Sequence, residues 1–281
     1  VQTLGELLQT EATSVPSYIG NGILPVQGKL ILGAERGFGK SILVSNMIYD
    51  LASGWNIFNE PLLSVSEPQR ILYIENEVGE DGLRVRFGQH IHKAKQSSLA
   101  LENIVIKTRE KLLFLNRAHV GQPAQLEDQE QWLKLLEVVR PNIIVGDPLA
   151  TLHDAEEGSN YEMGQLVNTL DAITEKASER LALKLSWIVV HHFRKKAKDE
   201  QVSMDSFRGA GRITDWADTR VLLDHKWTSG PDGVGHHYRR MIFPVVRQGP
   251  AIKDFLIWID PCTLVPFVGQ LVATEVGTPF G

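Results

Sequence analysis

A single cysteine, Cys262, is all that the sequence carries, so no internal disulfide can form and no multi-cysteine zinc site can be built. A lone thiol of this kind fits a reducing compartment, and its expected place is that of a small buried apolar side chain. No apolar run approaches the ~20 residues that span a bilayer, and the amino terminus has no charged-then-apolar leader pattern. The expectation is a cytoplasmic protein with no membrane contact. An excess of positive charge is missing as well: 29 Lys and Arg stand against 34 Asp and Glu, for a net charge of −5. Any contact with nucleic acid would therefore have to come from a local basic patch. Internal repeats and low-complexity segments are absent too. What is present is an ordinary globular composition, 281 residues with 43% hydrophobic and 22% charged, enough for a sizeable core in one large domain or two small ones.

The most informative stretch is Lys29 to Ser41, KLILGAERGFGKS. Leu30, Ile31 and Leu32 make a short apolar run suited to a buried parallel strand, and the segment Gly33 to Ser41 closes a phosphate loop. Ala34 stands where such loops usually begin with glycine, but phosphate is held mainly by backbone N–H groups at a helix amino terminus, where the dipole also favours anions. Gly37 and Gly39 permit the close approach. The predicted nucleotide-binding set is Ala34, Glu35, Arg36, Gly37, Phe38, Gly39, Lys40, Ser41 and Ile42. Within it, Lys40 reaches the β- and γ-phosphates and Ser41 ligates the Mg²⁺ they share.

The rest of the chain reads as alternating strands and helices. The helix after the loop should run to about Ser53 and stop at Gly54. Arg70 to Ile74 is a strand ending in Glu75-Asn76-Glu77, and a helix follows with Glu80 and Asp81 in its first turn. Ile104 to Ile106 and Leu112 to Leu115 read as short strands, and Leu126 to Val139 as an amphipathic helix. Asn142 to Leu149 is a strand apolar on both faces that ends in Asp147, which is how a Walker B element looks. An aspartate there can hold the Mg²⁺ shell beside the loop serine, since ligands of open α/β sheets lie outside the strands' carboxyl ends. A helix over Asn160 to Glu179 precedes a buried strand, Leu185 to Val190, that runs into His191 and His192. The last third differs: Val221 to Leu223, Tyr238 to Val246 and Phe255 to Ile259 are strands joined by turns alone. The fold class read from this order is α/β, a mainly parallel twisted sheet flanked by helices with a carboxyl-terminal antiparallel extension. Residues 1–22 read as an arm or linker, 23–262 as the ATPase domain and 263–281 as a tail.

Phosphate loop, strand-end glutamate, strand-end aspartate, a strand ending in His-His, a basic run and a Phe-Arg-Gly segment follow one another in an order that resembles the RecA-like P-loop ATPases. It resembles most closely their RepA-like hexameric replicative helicase branch. The elements carrying the resemblance are GAERGFGKS at 33–41, ILYIENE at 71–77, NIIVGDPL at 142–149, WIVVHHFRKK at 187–196, SFRGAGRITDWADT at 206–219 and VVRQGP at 245–250.

The resemblance implies a ring-forming homo-oligomer, a hexamer in that branch, that uses ATP and Mg²⁺ and moves on single-stranded DNA. Glu77 would polarise the attacking water, with Glu75 as its rival. His192 would be the sensor of the γ-phosphate, and His191 a core residue. A zinc pair is disfavoured, because adjacent strand residues face opposite ways. Arg194, Lys195, Lys196 and Lys198 would form the channel loop that contacts nucleic acid. Arg247 would be the arginine finger acting on a neighbouring subunit; Val245 replaces the lysine often found two residues earlier, which leaves Arg208 and Arg212 as rival fingers. Two other functions fit the same loop: an ATP-switched regulator or loader that does not unwind, and a P-loop kinase. The kinase would need an arginine-bearing lid and an acceptor pocket, neither of which is identifiable.

Overall fold

The structure is a computed structural model that describes Thr3, Leu4, Glu6 and residues 15–93, 97–108, 111–192, 211–229 and 235–269. A small antiparallel ribbon, β1 (Ser17–Ile19) with β2 (Leu24–Pro25), leads into the phosphate-loop strand β3 (Lys29–Ala34) and helix α1 (Lys40–Ser53). As expected, α1 stops at Gly54, which takes a left-handed conformation at φ 73°. There follow β4 (Ile71–Glu75), α2 (Glu80–Lys93), α3 (Ser98–Asn103), β5 (Ile104–Thr108), α4 (Pro123–Val139) and β6 (Ile143–Asp147). Next come α5 (Asn160–Leu181), β7 (Ser186–His192), α6 (Gly211–Trp216) and the strands β8 (Thr219–Ser229), β9 (Gly235–Val246), β10 (Phe255–Ile259) and β11 (Pro266–Gly269).

Strands β3 to β11 make one sheet in the order β11-β10-β9-β8-β3-β7-β6-β4-β5. From β8 to β5 all neighbours are parallel, and from β8 outward through β11 they are antiparallel. The composition of the central strands explains this. Every residue of β4, β6 and β7 is buried, as a parallel sheet covered on both faces by helices demands. The carboxyl and imidazole exceptions Glu75, Asp147, His191 and His192 are gathered at the carboxyl ends of those strands, while Ser186 opens β7 with its hydroxyl donating to the Pro25 carbonyl.

Two expectations are corrected. Leu112 to Leu115 is not a strand: it makes a single bridge, Leu115 to His153. Its side chains are committed to packing instead, with Phe114 stacked on Trp132 at 4.3 Å between ring centroids and edge-on to Trp187 at 5.3 Å. The Trp132 indole donates to the Leu113 carbonyl at 3.0 Å, taking up an acceptor that a ladder would have used. Cys262 is exposed rather than buried, because it lies in the tight turn after β10, where its own N–H donates to Asp260 Oδ1 at 2.7 Å.

β1 lies before residue 23 and β11 beyond residue 262, and both are packed on the domain, Tyr18, Ile19 and Pro266 being buried. Among the described residues no helix is long and apolar enough to cross a membrane.

Candidate active site

Register alone brings the polar strand ends together. Glu75 is the parallel-ladder partner of Asp147 across β4 and β6, and Ala34 that of His192 across β3 and β7. The phosphate loop leaves β3 at the same edge and turns into α1 through Gly37 and Gly39, both left-handed at φ 83° and 78°. At this point a side chain would be strained. A Cβ on Gly39 would also come within 3.1 Å of Ile259 Cδ1 and 3.4 Å of Arg239 Nη2.

Lys40 is buried, and its ammonium donates to the Ala34 carbonyl at 3.0 Å and the Glu35 carbonyl at 2.6 Å. It is thus folded back on its own loop. Burial lowers its pKa to about 8, against the pull of Asp147 and Glu77. Ser41 Oγ donates to Asp147 Oδ1 at 3.3 Å, and the other oxygen of Asp147 accepts from the Tyr73 hydroxyl at 3.0 Å. Burial pushes the Asp147 carboxyl up, and the hydrogen bonds from Tyr73 and Ser41 oppose it.

The two glutamates take different places. Glu75 is 1% exposed and its carboxylate accepts the N–H groups of Glu77 and Val78 at 2.8–3.2 Å. It is occupied in shaping the turn that follows. Glu77 projects from that turn, with 44% of its side chain exposed, and its Oε1 lies 3.6 Å from His192 Nε2. That separation is too long for a formed hydrogen bond. Burial first, then the nearby Lys40 charge, lower the His192 pKa to about 4, so the imidazole is neutral at pH 7. His191 is fully buried one residue earlier, the core position expected of it.

Arg247 is elsewhere. Val246 pairs with Thr219, and Thr219 with Leu30 at the start of β3, so Arg247 sits at the opposite edge of the sheet from the phosphate loop. Its guanidinium donates to the Asp215 carbonyl at 2.6 Å. Arg212 lies on α6, where a Cβ added at Gly164 of α5 would stand 3.4 Å from its Nε. Arg194, Lys195, Lys196, Lys198 and Arg208 lie outside the described residues.

Sequence reading missed Tyr73, Arg86 and Arg239. Tyr73 had a signal: it lies two residues before Glu75, hence on the same face of β4, and a buried phenol needs a partner. Arg86, on α2, has a buried Nη1 with no hydrogen-bond partner among the described residues, and its positive charge acts on Tyr73, Glu75 and Asp147. Arg239 donates through Nε to the Phe38 carbonyl, a contact 201 residues apart that no local pattern announces.

A family model described as an AAA domain (AAA_25) matches residues 2–198. The chain belongs to this family. No curated protein matches it. Among solved structures, the crystal structure of flagellar accessory protein FlaH from Methanocaldococcus jannaschii covers 88% of this chain and 91% of its own, at 13% identity and a TM-score of 0.49.

The family is one of P-loop ATPases, and Ala34 to Ile42 is the segment in which the sequence reading places the phosphate loop. The residues fit the Mg²⁺ that such sites usually carry: Ser41 Oγ and Asp147 Oδ1 are hard oxygen donors on a buried floor, and a site of one or two protein oxygens completed by phosphate suits that ion. They fit nucleotide too, because the N–H groups of Gly39, Lys40 and Ser41 make no hydrogen bond to the described residues and stand at a helix amino terminus.

Lys40 carries a measurable consequence. Phosphate beside it raises its pKa again, so binding takes up a proton wherever free Lys40 is already neutral. Affinity for ATP should be flat from pH 6 to 7.5 and fall above about pH 8, by up to about tenfold per pH unit. Calorimetric titration in buffers of different ionisation heat reads both the affinity and the proton uptake. A flat profile to pH 9.5 would show that Lys40 does not contact the phosphates.

Proposed function

We propose that the protein is a ring-forming, Mg²⁺-dependent ATPase that couples ATP hydrolysis to movement on single-stranded DNA, in the manner of the RepA-like replicative helicases. The observation that best supports it is the approach of His192 to Glu77 at 3.6 Å, because His192 also stands two residues before the basic run Arg194 to Lys198. One side chain is thereby in reach of the hydrolytic glutamate and of the segment proposed to hold DNA.

In this reading the free amides of Gly39, Lys40 and Ser41 and the Lys40 ammonium bind the phosphates. Lys40 exchanges the Ala34 and Glu35 carbonyls for phosphate oxygens. Ser41 and Asp147 would hold Mg²⁺, which when bound would offset charge on the phosphate oxygens. Tyr73 keeps the Asp147 carboxylate in one orientation. Glu77, an exposed carboxylate, aligns the attacking water and accepts its proton, while Glu75 fixes the turn that carries it. Neutral His192 can donate a hydrogen bond toward the γ-phosphate. Loss of that partner on hydrolysis would release the segment that follows, a local change with a wider readout.

Steady-state ATPase measured with and without single-stranded DNA, at low and moderate salt, together with the oligomer mass, tests the proposal. The expected result is stimulation that weakens steeply with salt, as phosphate contacts by Lys and Arg require, in an oligomer of about six subunits. Hydrolysis indifferent to nucleic acid would overturn the motor and leave the ATP-switched regulator or loader.

A further inference from the structure

Arg239, a side chain from the antiparallel half of the sheet, donates a hydrogen bond to the phosphate loop. It belongs to β9, where it pairs with Ile257 of β10, and it is partly buried, with burial lowering its pKa. Its Nε donates to the Phe38 carbonyl, and its guanidinium passes so close to Gly39 that a Cβ there would lie 3.4 Å from Nη2 and 3.6 Å from Nε.

The geometry of a peptide gives this contact a second meaning. The Phe38–Gly39 bond is trans, the one cis bond seen being Asp147–Pro148. In a trans peptide the C=O of one residue and the N–H of the next point in opposite directions from a rigid plane. An arginine that holds the Phe38 oxygen toward β9 therefore turns the Gly39 N–H away from β9. That N–H has no hydrogen-bond partner among the described residues. Left-handed glycines on both sides of Phe38 would otherwise allow this peptide to flip cheaply, since glycine populates positive and negative φ almost equally.

We propose that Arg239 is a positioning residue of the phosphate loop: it locks the Phe38–Gly39 peptide so that the Gly39 N–H faces the phosphate site before any nucleotide arrives. Its ligand is the loop carbonyl, not the nucleotide. The gain is preorganisation, because an amide already aimed at the anion does not have to be ordered on binding. The inference rests on the loop being a nucleotide site.

The test uses the full chain, with Arg239→Met, which keeps the apolar stem and removes the donor, and Arg239→Lys, which keeps a cation and a donor. The probes are ADP and inorganic pyrophosphate, each with Mg²⁺, read by calorimetry, with the melting temperature of each nucleotide-free protein as control. Arg239→Met should weaken both ligands by about the same factor, on the order of tenfold for the loss of one charge-assisted hydrogen bond. Arg239→Lys should recover part of that loss. Unchanged affinity in Arg239→Met would overturn the proposal, and so would a loss for ADP without a loss for pyrophosphate, because then Arg239 touches the nucleoside. Wild-type protein that binds neither probe would refute the nucleotide reading itself. If Arg239→Met does not fold, the Gly39 amide resonance of the wild type decides: pyrophosphate should move it downfield, and a resonance that stays in place would overturn the assignment.

Discussion

Glu77→Gln should bind ATP with Mg²⁺ as the wild type does and hydrolyse it about 10²- to 10⁴-fold more slowly, the range typical of one placed general base. The amide keeps the shape of the side chain and can still lie against His192, but it cannot accept a proton at neutral pH. Binding should survive because Glu77 is an exposed side chain that makes no hydrogen bond to Lys40, Ser41 or Asp147 among the described residues. Glu75→Gln is the informative companion. Glu75 accepts the Glu77 and Val78 N–H groups, and an amide oxygen can keep part of that pattern. Its turnover should therefore fall less than that of Glu77→Gln, with a change in the melting temperature. Single-turnover hydrolysis and nucleotide affinity measured side by side read the difference. Full activity in Glu77→Gln and none in Glu75→Gln would exchange the roles.

Arg247→Ala should lose about 10³- to 10⁵-fold in turnover, the scale of an arginine finger, while still binding ATP. Its position makes the reason testable. Four residue steps along β3 lead from Leu30, at the level of Val246, to Ala34 at the loop, roughly 13 Å of extended strand, so Arg247 cannot serve its own chain's γ-phosphate. If it acts at all in hydrolysis, it acts on a neighbour. Its hydrogen bond to the Asp215 carbonyl would have to be exchanged for phosphate in the assembled ring. Mixing provides the decisive measurement. Lys40→Ala destroys the phosphate site but leaves the finger, Arg247→Ala does the reverse, and each alone should be nearly inactive. Co-assembled, they pair an intact loop from one subunit with an intact arginine from the next, and ATPase should reappear. No recovery in verified mixed oligomers, or undiminished turnover in Arg247→Ala alone, would move the finger to Arg208 or Arg212.

Much of this site could be read from the chain because its parts are local. KLILGAERGFGKS contains strand, loop, and the amides and hydroxyl proposed to meet phosphate and metal within thirteen consecutive residues, and Gly37 and Gly39 are there for a conformation that any neighbour sequence would need. Apolar runs ending abruptly in Glu75, Asp147 and His192 likewise declare buried parallel strands with polar carboxyl ends. The choice between Glu75 and Glu77 was beyond the sequence, since both are strand-end carboxylates. Only the folded turn shows that one is buried and accepting backbone N–H groups while the other is free to face the site. The error at Leu112 to Leu115 has a similar cause: an apolar run predicts burial, but whether its backbone joins a ladder or its rings pack beneath a helix depends on distant partners.

By itself, then, the sequence determined the α/β class, the strand–loop–helix segment around Gly37 and Gly39 and which polar residues end the buried strands, because period, glycine placement and strand-end polarity act over a few residues. The tertiary structure decided which of them meet. The registers of β4 with β6 and of β3 with β7 align Glu75 with Asp147 and Ala34 with His192. A strand from the antiparallel extension brings Arg239 to the back of the loop, and the antiparallel course of β9 carries Arg247 to the far edge. Register and strand order are properties of pairing between distant segments, set by the packing of the whole sheet, and no short stretch of the chain contains them.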